Sequence, residues 1–170
     1  MADGVVNTGV KNRVDQAEYV KIGDAYELMG TGFKEANEEP GAQVADKKYI
    51  NMKSKSKSIS GYEWVKTFSA DQILSEAVIK DFVEIGQTQK IGQAAERDFV
   101  TVHLDEPVTG KENNFRARHV RVAVEVSSFP DNDGEMGVEG NLNGIGDIEE
   151  GTFDTTTKTF TPAGSAVVGA

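Results

Sequence analysis

The stretch NFRARHVRVAVEVSSF, residues 114–129, carries a valine at every second position of its second half. In an extended chain successive side chains point to opposite faces, so Val120, Val122, Val124 and Val126 share one face and His119, Arg121, Ala123, Glu125 and Ser127 the other. The alternation predicts a strand with one side on a core. DFVTVHL, residues 98–104, predicts a second strand, joined to the first by the polar connection DEPVTGKEN. After the turn sequence PDNDG, the run EMGVEGNLNGIGD sets Met136, Val138 and Leu142 against Glu139, Asn141, Asn143 and Asp147, and its glycines predict bulges or the close approach of another backbone. GTFDTTTKTFTP reads as a small hairpin with Phe153 and Phe160 flanking its turn, and ISGYEWVKTF as a core strand with Tyr62, Trp64 and Phe68 on one face.

Helical periodicity is convincing only over about residues 75–91. Val78, Phe82 and Ile85 fall at i, i+4 and i+7, which makes a stripe that can lie on a sheet. Ser75 is a candidate N-cap, Lys90 sits in the last turn and Gly92 can end the helix, while Ser69 with Gln72 offers an earlier capping box. Gly86 weakens it slightly.

Upstream, residues 1–18 have no period and read as an N-terminal arm; Tyr19 to Met29 can form a strand pair around Gly23 and Asp24. Residues 30–46 are polar and too long for a hairpin turn, so they read as a long loop, although Phe33 is a residue that a solvated loop does not need. KSKSKSIS, residues 53–60, places Lys53, Lys55 and Lys57 on one face of an extended segment and serines on the other. Neither face can join an apolar core. The fold expected is mainly β (α+β): an antiparallel β-sandwich or barrel over residues 19–162, flanked by one α-helix and followed by a flexible C-terminal tail, residues 163–170.

Composition narrows the function. A chain of 170 residues can bury about 70% of its unfolded surface, enough for one core without metal or disulfide staples. It has no cysteine, which excludes disulfides and thiolate metal sites and suits a reducing compartment. MADGVVNTGVKNRVDQ lacks the apolar centre of a signal peptide and no membrane span is expected. The net charge of −10 opposes tight binding to phosphate backbones and anionic membranes. The acid is also uneven: Val122 to Thr157 contains nine Asp and Glu residues and no Lys or Arg. Such a window is either a solvated acidic face or a surface that repels polyanions.

Tests for catalytic or ligand-binding motifs fail. His103 and His119 are the two histidines, each inside an expected strand without the carboxylate spacing of a metal site. DNDGE has the glycine of a calcium loop, but the first ligand position is then Phe129 and the twelfth Gly140. TGKE ends like a phosphate loop, yet its first glycine position is Asp105 and Glu112 replaces the magnesium-binding hydroxyl. GIGDIEEG lacks dinucleotide spacing, and no GxSxG elbow is present. No enzyme activity, cofactor or metal is expected.

The order of features resembles the major tail tube proteins of long-tailed bacteriophages. The resemblance runs from about Tyr19 to Pro162 and rests on YINMKSKSKSISGYEWVKTFSADQI, the helix before RDFVTVHLDEP, and the closing sequence of valine-rich strand, acidic turn, GNLNGIGD strand and EGTFD…KTFTP hairpin. It implies a β-sandwich subunit, related in fold to the type VI secretion inner tube protein, that forms hexameric rings stacked into a hollow tube through which DNA passes. Its implied partners are further copies of itself, tail tip or baseplate, tape measure and tail terminator proteins, a sheath if the tail contracts, and DNA in transient passage, with no membrane. The implied location is the virion tail, after assembly in the bacterial cytoplasm.

Under that resemblance residues 30–46 become an inter-subunit loop, and Phe33, Glu35, Glu38, Glu39, Lys53, Lys55 and Lys57 become candidate subunit or ring contacts. Glu125, Glu139, Asn141, Asn143 and Asp147 become candidate lumen residues, with Arg121 as a departure from uniform negativity. A merely solvated lysine edge fits the sequence too. So do a decoration or tail-completion protein that forms no long tube and a small β-sandwich binding module.

Overall fold

The computed structural model describes residues 9–164. The first eight residues of the expected arm and the last six of the expected tail lie outside the described residues. Strands β1 (Gln16–Ile22) and β2 (Ala25–Leu28) form the anticipated pair, turning at Gly23, whose φ of +64° favours glycine. Strand β1 therefore begins inside the stretch read as arm: Gln16 to Val20 pair with His103 to Phe99.

The chain continues through β3 (Phe33–Glu39), β4 (Ala42–Lys47), β5 (Ser56–Tyr62), β6 (Val65–Asp71), helix α1 (Ala77–Thr88), β7 (Glu96–Pro107), β8 (Asn114–Ser128), the two-residue β9 (Asp131–Asn132), β10 (Glu135–Asp154) and β11 (Thr159–Pro162). The main sheet runs β2-β1-β7-β8-β10-β6-β3, with β9 and β11 also on β10 and all pairs antiparallel. β4 and β5 form a separate ribbon.

Strand β10 makes the sheet fold on itself. Gly137 to Asn143 pair with β6, Glu149 to Asp154 pair with β8 and then β11, and the β8 register slips between Ile145 and Glu149. The result is the expected β-sandwich with a flanking helix. Its larger core gathers Val20, Phe68, Phe99, Val120, Val122, Val138 and Leu142 against Val78, Ile79, Phe82 and Val83 of α1. A second core holds Tyr19, Val100, Val102, Ala117 and Phe153. Neighbours in sequence, such as Tyr19 and Val20 or Phe99 and Val100, enter different cores, so β1 and β7 are covered on both faces. The valine face of β8 and the Phe153–Phe160 pair lie as the alternation foretold.

The long loop expected at residues 30–46 is instead β3 and most of β4. Its alternation is hidden because a β-bulge between Phe33 and Glu35 shifts the period, and because one inward position holds an ionisable residue, Glu38. Tyr62 is exposed rather than in line with Trp64 and Phe68, since the chain leaves the β4–β5 ribbon at Glu63 before entering β6. Met136 is also exposed. Helix α1 is shorter than the sequence suggests: Glu76, not Ser75, occupies the N-cap, and Gln89 in left-handed conformation closes it before Lys90 and Gly92. Gly86 has a positive reason to be small, because a Cβ there would press on Val126 and Phe129. In β10, a side chain at Gly140 would run into the Glu125 carbonyl, the close backbone approach that the glycines predicted.

Candidate assembly surfaces

The sandwich exposes the outer side of β3, β6, β10 and the end of β8. Register sets its residues in rows: Glu35, Ser69 and Glu139; Asn37, Thr67, Asn141 and Glu125; Glu39, Val65, Asn143 and Ala123. Thr67 Oγ1 donates to Asn141 Oδ1 at 3.0 Å, Asn143 Nδ2 to Glu125 Oε2 at 2.9 Å, and Ser128 Oγ to Glu139 Oε2 at 3.4 Å. These rows contain carboxylates, amides and hydroxyls but no cation. Lys34 at the border is paired with Asp71 at 2.6 Å, and Arg121 is held by Glu96 at 3.1 Å and Asp98 at 3.2 Å, so the cation that seemed out of place is locally neutralised.

Four of the five lumen candidates, Glu125, Glu139, Asn141 and Asn143, are thus brought together. Asp147 stands apart in the β10 bulge, exposed and next to Gly146 at φ +77°. Glu35 and Glu39, candidate subunit or ring contacts from the sequence, lie in the carboxylate rows. Phe33 and Glu38 turn inward. Phe33 packs with ring centroids 6.2 Å from Phe68 and 6.3 Å from Phe82. The Glu38 carboxylate accepts from Arg118 Nη1 and Nη2 at 2.8 and 3.0 Å and from Trp64 Nε1 at 2.7 Å. Burial opposes ionisation of Glu38, but these donors outweigh it and pull its pKa down to about 2. Both residues are half-buried and held by partners within this subunit.

The lysine run lies on the β4–β5 ribbon. Lys57 is within β5, Lys53 and Lys55 precede it, all three are exposed, and Lys55 Nζ is 3.6 Å from Asp46. The ribbon turns at Tyr49–Met52, where the Met52 N–H donates to the Tyr49 carbonyl at 3.1 Å. Its strands pair only with each other, yet Val44, Tyr49, Ile50, Ile59 and Tyr62 are exposed along it. A lone two-stranded ribbon is marginal in water, and exposed apolar residues grouped in this way are a common mark of interaction surfaces.

Sequence reasoning missed polar side-chain contacts that tie β1 to β6 and β7 to β8. Glu18 of β1 and Lys66 of β6 form an ion pair with both side chains fully buried. Arg13 Nη2 adds a bond to Glu18 at 2.8 Å and Gln16 Nε2 another at 3.1 Å. Beside it Arg118 Nε donates to His103 Nε2 at 3.1 Å, and Lys11 Nζ lies 3.0 Å from His103 Nδ1 and 2.8 Å from Asp105. Burial first, then Lys11 and Arg118, push the His103 pKa down. His103, Asp105 and Glu106 come close enough to be metal ligands, but Lys11 already occupies the cluster and Arg116 takes Glu106 at 3.1 Å. The signal available in the sequence was the alternation itself: Lys66 sits between Trp64 and Phe68, at a core position.

Comparison with known structures bears on the fold. A chain in the virion of a native gene transfer agent particle superposes with a TM-score of 0.56 at 11% identity, covering 89% of this chain and 99% of that one. The fold is shared with a chain of that virion particle. A chain in the tail of an empty gene transfer agent particle, refined with C6 symmetry, gives a TM-score of 0.52 at 10% identity with the same coverage. No family model and no curated protein matches the chain. At this identity the likeness speaks for the fold alone. Nearly the whole length of each neighbour is nevertheless matched.

Proposed function

We propose that the chain is a structural virion protein that assembles as stacked hexameric rings into the hollow tail tube through which DNA passes. The observation that carries the reading is a fold shared over 99% of the length of a chain in a C6-symmetric tail. Two surfaces support it. The cation-free rows around Glu125 and Glu139 suit a wall along which a polyanion slides without sticking, and the uncovered β4–β5 ribbon suits contact between subunits. The role calls for no catalytic chemistry or cofactor. Its partners are copies of itself, tail tip or baseplate, tape measure and terminator proteins, and a sheath if the tail contracts. It works in the virion tail after assembly in the host cytoplasm, with the sandwich from β1 at Gln16 to β11 at Pro162 as its single domain.

Negative-stain microscopy of the concentrated protein tests the proposal. Hollow tubes or six-fold rings are the expected result; a particle that stays monomeric at all concentrations, and with a tail-tip complex added as nucleus, overturns it.

A further inference from the structure

At the root of the β4–β5 ribbon, between it and the β10 bulge, lies a groove of about 860 Å³. Tyr62, Trp64, Gly144 and Ile148 give it apolar walls, and Glu63 and Asp147 are its exposed carboxylates. At the other end of the ribbon Ile50 occupies the tip turn fully exposed, with Tyr49 beside it. An isoleucine at the apex of a solvated turn has no stabilising role inside its own chain. The tip is cationic: Lys47, Lys48, Lys53, Lys55 and Lys57 surround it, and Asp46 is the one carboxylate between Ala42 and Ser60.

We infer that the groove of one copy receives the Tyr49–Ile50 tip of another copy. The two surfaces match in character, an apolar knob ringed by lysines and an apolar slot edged by carboxylates. They cannot meet within one chain, because six residues of strand, about 20 Å, separate root from tip. Knob and slot are different patches, so the contact is heterologous: each copy that docks presents a fresh tip, and association propagates along one direction rather than closing into a pair. The inference rests on the tube reading and gives one of its contacts between copies a specific address. It also assigns Asp147 to the junction between copies and not to the lumen.

The chain has no cysteine, so introduced thiols report cleanly. In the double variant Ile50→Cys, Ile148→Cys, a short bis-maleimide should link tip to groove from copy to copy and give a ladder extending beyond the dimer on a denaturing gel. Either single variant should give none. A parallel variant, Tyr49→Ser with Ile50→Ser, should keep the melting temperature of the wild type and raise the concentration needed for polymerisation at least ten-fold. Polymers of the double-cysteine variant that yield no ladder, a dimer formed by Ile50→Cys alone, or a serine variant that polymerises like wild type would each overturn the docking while leaving tube assembly intact. Failure of the wild type itself to polymerise removes both.

Discussion

Lys66 and Glu18 show what a charged pair does when it has no access to water. Each ion alone would carry a desolvation penalty of several kcal/mol, and the Lys66 ammonium, over the Phe99 ring at 5.6 Å, has no water to turn to. Removing one partner should therefore hurt more than removing both. Lys66→Met is expected to cost about 3 kcal/mol in urea unfolding, because Glu18 keeps only Arg13 and Gln16; adding Glu18→Leu should recover most of that loss. A double variant whose loss equals the sum of the two single losses would show that the pair is not coupled. Glu38 makes a related prediction for pH. Its folded pKa of about 2 lies below the ordinary value of 4.5, so its contribution is complete above about pH 4.5 and is lost as pH falls toward 2. Allowing for solvent screening, the contribution is about 2 kcal/mol. The stability of Glu38→Gln should be lower at pH 7 and should change less between pH 4.5 and 2.5 than that of the wild type.

At the level of elements, the β4–β5 ribbon is separable from the fold that carries it. It shares no strand pairing with the main sheet, and its side chains are almost all exposed. Replacing residues 43–60 by a two-glycine link should leave the far-ultraviolet circular dichroism of the sandwich and its melting temperature nearly unchanged while abolishing polymerisation; a large drop in melting temperature would mean that the ribbon braces the core. Excision of β3 is a different matter, since Phe33 and Glu38 anchor it inside. That contrast marks where the sequence could be read. β8, the β10–β11 hairpin and the helical stripe were legible because each has one apolar and one polar face, which is what periodicity detects. β3 was not, because its inward positions mix Phe33, Ala36 and an ionised Glu38 across a bulge, and only tertiary partners on β8 and at Trp64 make that arrangement stable. The carboxylate rows were half legible: one strand's alternation placed Glu139, Asn141 and Asn143 together, but which strands lie beside β10 depends on long-range pairing that no local pattern encodes.

For the whole molecule the distribution of charge decides more than its total. The net charge of −10 is not spread evenly: cations collect on the ribbon and around the Arg116, Arg118 and Arg121 pairings, while Glu35, Glu39, Glu125 and Glu139 stand without a basic neighbour in their rows. In a ring this patch would recur in every subunit and in every layer, so a small preference per residue becomes a continuous wall. Reversing its sign is the strongest test of the orientation. Glu35→Lys, Glu125→Lys and Glu139→Lys together should leave the fold intact, since substitutions on an exposed face usually change stability by only about 0.5 kcal/mol each. If the rows face the channel, tubes of this variant should retain duplex DNA at low salt and release it as salt rises, because each added phosphate contact releases counterions and the binding constant then falls steeply with ionic strength. Wild-type tubes should retain none under the same conditions. Tubes that bind DNA only on their outer wall, as seen by nuclease removing all of it, would place the rows outside, and a variant that folds but cannot form rings would place them between subunits; either outcome rejects the channel orientation.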